Sequence, residues 1–168
     1  NEKTAEEGTP IMHVDGFVRG KGRFLITQYV PTDEKVTRRF PLLLTTGRVL
    51  SHYNVGAQTR RTGNRAWYPE DRLEIQPHDA AERGVADGDR VSLESRAGTT
   101  VLRARITERV QPGVVYTTFH FPESGANVVT TESSDWATNC PEYKVTAVEV
   151  RKAARPSDWQ VEHERQSV

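Results

Sequence analysis

The sequence predicts a mainly β fold, a small barrel or sandwich carrying one or two short helices. Three observations support this. Short alternating or apolar runs recur along the 168 residues, turn-forming pairs such as Asp87-Gly88, Ala97-Gly98 and Pro112-Gly113 separate them, and only Pro77–Gly84 reads as a clear helix.

In chain order, the first ten or so residues are polar and read as a disordered lead-in. Ile11–Val14 is expected to be a short extended piece, and Arg23–Val30 a strand ended by Pro31. Leu42–Thr46 is an uninterrupted run closed by Gly47, which predicts a strand buried on both faces. Ser51–Arg72 is long and polar, and a loop of that length inside a domain usually has a function. Arg72–Gln76 alternates as a strand. Pro77–Gly84 has Pro near a helix start and Gly at its C′ position, giving two turns at most. Arg90–Ser95, Thr99–Thr107, Val114–Phe121 and Lys144–Val150 complete the strands. Ala154–Val168 is charged, either a short helix or a frayed tail. The expected organisation is a lead-in and linker over 1–40, the barrel over 41–152 and a charged tail over 153–168.

Lys and Arg number 23 and Asp and Glu number 23, so net charge is zero and no whole-chain attraction draws nucleic acid or anionic lipid. At 35% hydrophobic residues, a small core under a polar shell is expected. No apolar run is long enough for a membrane helix, and the first residues lack a signal-peptide pattern. A single cysteine excludes an internal disulfide and a Cys-rich metal site, which suits a reducing, cytoplasmic setting. The chain begins at Asn1 and has only Met12, and so reads as part of something longer.

No catalytic or metal-binding residue is expected. Ser51-His52 with Asp135 or Asp158 lacks the elbow of a hydrolytic triad, and the five histidines show no ligand spacing. Cys140, followed by Pro141-Glu142, is expected to be a buried structural thiol. Thr45-Thr46-Gly47-Arg48 is more informative, because a turn ending a buried strand frees backbone N–H groups beside an Arg fork, a phosphate cradle. Arg60, Arg61, Arg65 and Arg72 stand among Gln58, Asn64, Trp67 and Tyr68, a set suited to anions and flat heterocycles. Thr118–Phe121, Asn127, Tyr143 and Lys144 add rings, hydroxyls, amides and an ammonium near strand ends. Together they look like half of a socket for a large polar cofactor; the competing reading is a strand-end turn and a solvated loop.

Phe40–Asn54, Thr118–Phe121, Asn127 and Asn139-Cys140-Pro141-Glu142-Tyr143-Lys144 resemble the C-terminal molybdopterin-dinucleotide-binding domain of molybdenum/tungsten formate dehydrogenases, in the dimethyl-sulfoxide-reductase superfamily. The likeness runs over about residues 8 to 152 and, at Gly56–Thr62, is nearest the α subunit of soluble NAD-dependent members. It implies a six-stranded double-psi β-barrel over a bis-(molybdopterin guanine dinucleotide) cofactor with Mo or W. By motif, Thr46, Gly47, Arg48, Val49, Leu50, His52, Asn54, Phe119, His120, Asn127, Tyr143 and Lys144 would line the dinucleotide groove.

The family's metal ligand, a Cys or selenocysteine followed by His, lies in earlier domains, and Cys140 does not match it. The resemblance therefore implies a part of a formate-oxidising enzyme, inactive alone, whose partners are the remaining domains of the α subunit and electron-transfer subunits. The rival readings are the same domain from a nitrate reductase, or a non-enzymatic barrel that binds nucleic acid or protein. Zero net charge and few aromatics on adjacent strands disfavour nucleic acid.

Overall fold

The computed structural model describes residues 13, 16–17, 19–135 and 137–167. The lead-in expected over the first ten residues lies outside them, as does the Ile11–Val14 piece apart from His13. The chain forms two compact units, Asn1–Pro31 and Thr32–Val168. In the first, two turns are closed by Gly16 N–H to the His13 carbonyl (3.1 Å) and Gly20 N–H to the Phe17 carbonyl (2.9 Å). Arg23–Val30 forms no strand, and Phe24, Leu25, Ile26, Tyr29 and Val30 are all exposed. A strand exists only by pairing.

The second unit is a six-stranded barrel made of β1 (Leu42–Gly47), β2 (Arg72–Ile75), β3 (Arg90–Glu94), β4 (Thr99–Ile106), β5 (Val114–Thr118) and β6 (Thr146–Lys152). The order is β1-β5-β2-β4-β3-β6, closing on β1, so no edge is left open. β1 and β5 run parallel, as do β2 and β4; the other neighbours are antiparallel. The described residues include three short α-helices, α1 (Asn64–Trp67), α2 (Pro77–Glu82) and α3 (Asp158–Gln166). No helix among the described residues is long and apolar enough to cross a membrane.

Alternation sets the core. Leu42 and Leu44 from β1, Leu73 and Ile75 from β2, and Val148 and Val150 from β6 point inward and are buried. β1 is not buried on both faces as expected: Leu43 and Thr45 are half-buried, because a barrel strand has one filled face and one partly covered face.

Residues 32–40 fall in the second unit. Glu34 is buried, and its Oε2 accepts from Ala147 N–H and from the Arg96 guanidinium, both at 2.9 Å, which ties this segment to β6. The charged tail belongs to the same unit. Ser157 and Gln160 form a capping box at the start of α3, and the Gln160 amide bonds both N–H and C=O of Val101 in β4 (3.1 and 3.0 Å).

Candidate functional site

β1 ends at Gly47 beside the end of β5, and three separate segments meet there. An added Cβ at Gly47 would come within 2.5 Å of the Tyr116 hydroxyl, so only glycine admits this approach. The same hydroxyl donates to the Arg48 carbonyl at 3.0 Å. Burial is the largest influence raising the Tyr116 phenol above its ordinary pKa, and it does the same for Tyr68.

Two buried histidines build the loop that follows. His120 accepts from Val49 N–H at Nε2 (3.1 Å) and donates from Nδ1 to the Asn54 carbonyl (2.5 Å). His52 donates from Nε2 to the Tyr68 carbonyl (2.7 Å) and accepts from the Thr59 hydroxyl at Nδ1 (2.9 Å). These tautomers follow from the partners, since an amide N–H can only donate and a carbonyl can only accept. Each ring therefore has both nitrogens engaged within the chain. Both are among the residues expected to line the groove, and in the structure their ring nitrogens bond the loop.

What the loop turns outward is different. Arg48 is exposed, its guanidinium fixed by Asn54 Oδ1 (2.9 Å) and lying 5.6 Å from the Phe119 ring centre. Asn54 sits at φ +47°, a left-handed conformation that Asn tolerates, and this turns its side chain back toward Arg48. The third segment joins through β1: Thr46 Oγ1 donates to the Tyr143 carbonyl (3.0 Å), and the Lys144 ammonium donates to the Thr46 carbonyl. Arg48, Val49, Leu50, Ser51, Trp67 and Tyr116 wall a cavity of about 430 Å³, with Glu74 and Arg109 completing it.

Of the twelve expected residues, the structure thus joins Thr46, Gly47, Arg48, Val49, His52, Asn54, Phe119, His120, Tyr143 and Lys144 in one cluster. Leu50 is adjacent but fully exposed. Asn127 is not tied in by any side-chain hydrogen bond among the described residues; its carbonyl caps Thr130 Oγ1 (3.0 Å).

Asp71 was not singled out from the sequence, yet it holds the other half of the site. It is buried at the start of β2. Its Oδ1 accepts from the Thr118 hydroxyl and from His120 N–H (3.1 Å), and its Oδ2 from Phe121 N–H (3.0 Å) and the Ser124 hydroxyl (2.7 Å). By taking the amides of 120 and 121 it ends β5 at Thr118, where the sequence had suggested a strand to Phe121. A lone carboxylate in a polar stretch carries no periodic signal; only the fold brings its donors together.

Cys140 is exposed, contrary to expectation. Its loop is organised by Asp135, whose carboxylate accepts from Ala137, Thr138 and Cys140 N–H (3.0, 2.7 and 2.8 Å) and from the Thr138 hydroxyl (2.5 Å), leaving the thiol outside. These bonds, those from Thr138 foremost, hold the Asp135 carboxyl at about 2, below its ordinary 3.8. A depressed folded-state pKa makes this ordering complete above the unfolded value and lost as pH falls through the folded one. The protection of the Thr138 and Cys140 amides, taken relative to their intrinsic exchange rates at each pH, should accordingly fall between pH 3.8 and about 2. Asp135→Asn should remove that change in protection; protection held constant down to about pH 2 in the parent would contradict the assignment.

The exposed Arg fork beside a ring face, with an ammonium, a phenol and amide groups close by, fits a ligand that combines phosphates with flat heterocycles. Residues 42–147 match the model of the Molydopterin dinucleotide binding domain. F420-dependent formate dehydrogenase 2 subunit alpha of Methanococcus maripaludis is 42% identical over 154 residues, covering 89% of this chain and 23% of that protein. F420-dependent formate dehydrogenase subunit alpha of Methanocaldococcus jannaschii is 38% identical over 148 residues, covering 86% and 22%. The assimilatory nitrate reductase catalytic subunit of Bacillus subtilis is 36% identical over 119 residues, covering 70% and 17%. The solved structure of acetylene hydratase from Pelobacter acetylenicus superposes with a TM-score of 0.59 at 18% identity, over 68% of this chain and 18% of that one, and shows the shared fold. The chain spans less than a quarter of the length of the curated relatives it matches. The two formate dehydrogenases named here are F420-dependent. On the family match across its barrel, this chain belongs to the Molydopterin dinucleotide binding domain family.

Proposed function

We propose that this chain is the domain that closes over a bis-(molybdopterin guanine dinucleotide) cofactor in an enzyme oxidising formate to carbon dioxide. The observation that carries the reading is the meeting of 46–54, 118–120 and 143–144 at the end of β1. The cofactor, when bound, supplies a Mo or W centre able to accept two electrons. The residues of this chain hold it. Arg48 would grip pyrophosphate oxygens through its fork, with Asn54 and Phe119 keeping the guanidinium in place. Lys144 and Tyr143 would add a cation and a hydroxyl on the neighbouring wall. His52 and His120 would keep the loop amides of 49–54 at fixed positions, so that little ordering is needed on binding. The reacting atoms belong to domains that precede the barrel. Electrons then pass to an acceptor through partner subunits, and the whole works in the cytoplasm.

The test uses the complete polypeptide. Acid extraction should release guanine nucleotide, elemental analysis should find Mo or W, and formate should reduce an artificial dye. The 168-residue chain alone should show neither metal nor turnover. Nitrate-dependent oxidation of a reduced viologen without formate activity would assign the domain to a nitrate reductase instead, and absence of guanine nucleotide would end the cofactor reading.

A further inference from the structure

A second cavity, of about 380 Å³, opens on the flank of the barrel and shares no lining residue with the one at the end of β1. Its walls come from distant parts of the chain: 65–71 ahead of β2, Arg90 at the start of β3, 101–103 of β4, the turn at 121–124, and Pro156 and Gln160 at the start of α3. The walls are fastened to one another. Asp71 holds the amides of His120 and Phe121 and the Ser124 hydroxyl. Gln160 Nε2 donates to the carbonyls of Val101 (3.0 Å) and Glu123 (3.3 Å), which pins α3 to β4 and to the turn. Arg60 Nη1 donates to both Glu123 carboxylate oxygens, at 2.9 and 3.1 Å. A concave place of this volume with fixed walls has the form of a small-molecule site.

Charge selects the ligand. The carboxylates that line the cavity already have partners: Glu70 meets Arg72 Nε (3.2 Å) and Arg103 Nε (3.6 Å), Glu123 meets Arg60, and Asp71 serves its donors. Two guanidiniums do not. Arg65 and Arg90 line the cavity and are exposed, and their side chains make no hydrogen bond or ion pair among the described residues. With Arg60, Arg72 and Arg103, five guanidiniums stand against three carboxylates, which leaves the place cationic. Pro69, Leu102, Phe121 and Pro156 supply ring and hydrocarbon surface to the same lining.

We propose that this cavity binds a small organic oxyanion, a carboxylate or phosphate carried on a short flat apolar body, with Arg65 and Arg90 as its anchors. A guanidinium fork matches either group with two parallel bonds, and the apolar lining takes the body. Neither the Arg48 turn nor Tyr143 and Lys144 take part, so the site stands independently of the cofactor reading.

Titration of the 168-residue chain with benzoate and with phenyl phosphate, followed by amide NMR, tests this. Saturable shifts should appear at 65–71, 101–103 and 121–124, and the tighter of the two ligands gives the oxyanion. Benzamide, which lacks the charge, and inorganic phosphate, which lacks the body, should bind at least about tenfold more weakly. Arg65→Ala and Arg90→Ala should each weaken the tighter ligand by about tenfold or more, while leaving the melting temperature of the free chain unchanged. Should either melt early, the Gln variant at that position serves in its place. Inorganic phosphate binding as tightly as phenyl phosphate would mean attraction of ions alone, and would overturn the proposal. Shifts that survive with both arginines replaced would overturn it too. In the complete polypeptide, the tighter ligand should slow amide exchange at 121–124. No change there at a concentration that saturates the 168-residue chain would mean that protein fills the cavity, and the proposal would fall.

Discussion

Asp71→Ala is expected to lower stability by about 3 to 5 kcal/mol, or by about 10 °C or more in Tm. The carboxylate serves four donors in a buried place, and two of them, His120 N–H and Phe121 N–H, belong to the backbone and cannot turn away. Each orphaned buried donor costs about 1 to 3 kcal/mol. The Ser124 hydroxyl already has the Phe121 carbonyl as a second partner at 2.7 Å and so loses less. Asp71→Asn should fall between parent and alanine, since its amide offers one acceptor but turns a donor toward donors. The damage should be local first: His120 ring resonances should shift, because the segment that carries the ring is the one released. Thermal and denaturant melts with NMR of the two imidazoles check this. If both variants melt with the parent, the donors have other partners and the hub is misassigned.

Arg48→Ala and Leu44→Ala should separate holding the cofactor from holding the fold. Leu44 is almost wholly buried in the barrel, and its truncation should cost about 2 to 5 kcal/mol through lost burial and the cavity left behind. Arg48 is exposed, its side-chain partners among the described residues being the Asn54 amide and the Phe119 ring, so its loss should cost about 1 kcal/mol or less. Its effect should appear in ligand retention. Charge-assisted bonds to phosphate are worth about 1.5 to 3 kcal/mol each, so dinucleotide affinity in the complete protein should fall about tenfold or more. Melts of the two variants, with guanine nucleotide content after dialysis, give both answers. A variant at Arg48 that unfolds like Leu44→Ala, or keeps its nucleotide, would make Arg48 structural.

The strands were legible because side-chain alternation and turn chemistry are local. β2, β3 and β4 begin within a residue or two of where alternation starts, and α2 keeps its Pro77 start and ends before Gly84 at φ +61°. Failures came where a residue's role depends on distant chain. Arg23–Val30 has strand composition, but composition cannot supply a partner. Leu43 looked as buried as Leu44 because a run of apolar residues does not announce that one barrel face is only partly covered. The turn at Arg48 was legible because it is local, while the hydrogen bonds of Asp71 and the contrast between buried imidazoles and exposed guanidinium were not. Glu34 failed for the same reason, since its partner Ala147 lies at the far end of the chain.

The strand order also has a consequence for the timing of assembly. β1 has only two neighbours: Leu43 pairs with Val114 of β5, and Leu42 with Val148 of β6. As the chain leaves the ribosome, the first strand waits for the last, and contacts this distant make closure slow. A nascent chain halted before Thr146 has no β6 to pair with Leu42–Leu44, so its Arg48 turn ends a strand held on one side alone. The site at the end of β1 is therefore framed on both sides only after β6 has been made and paired.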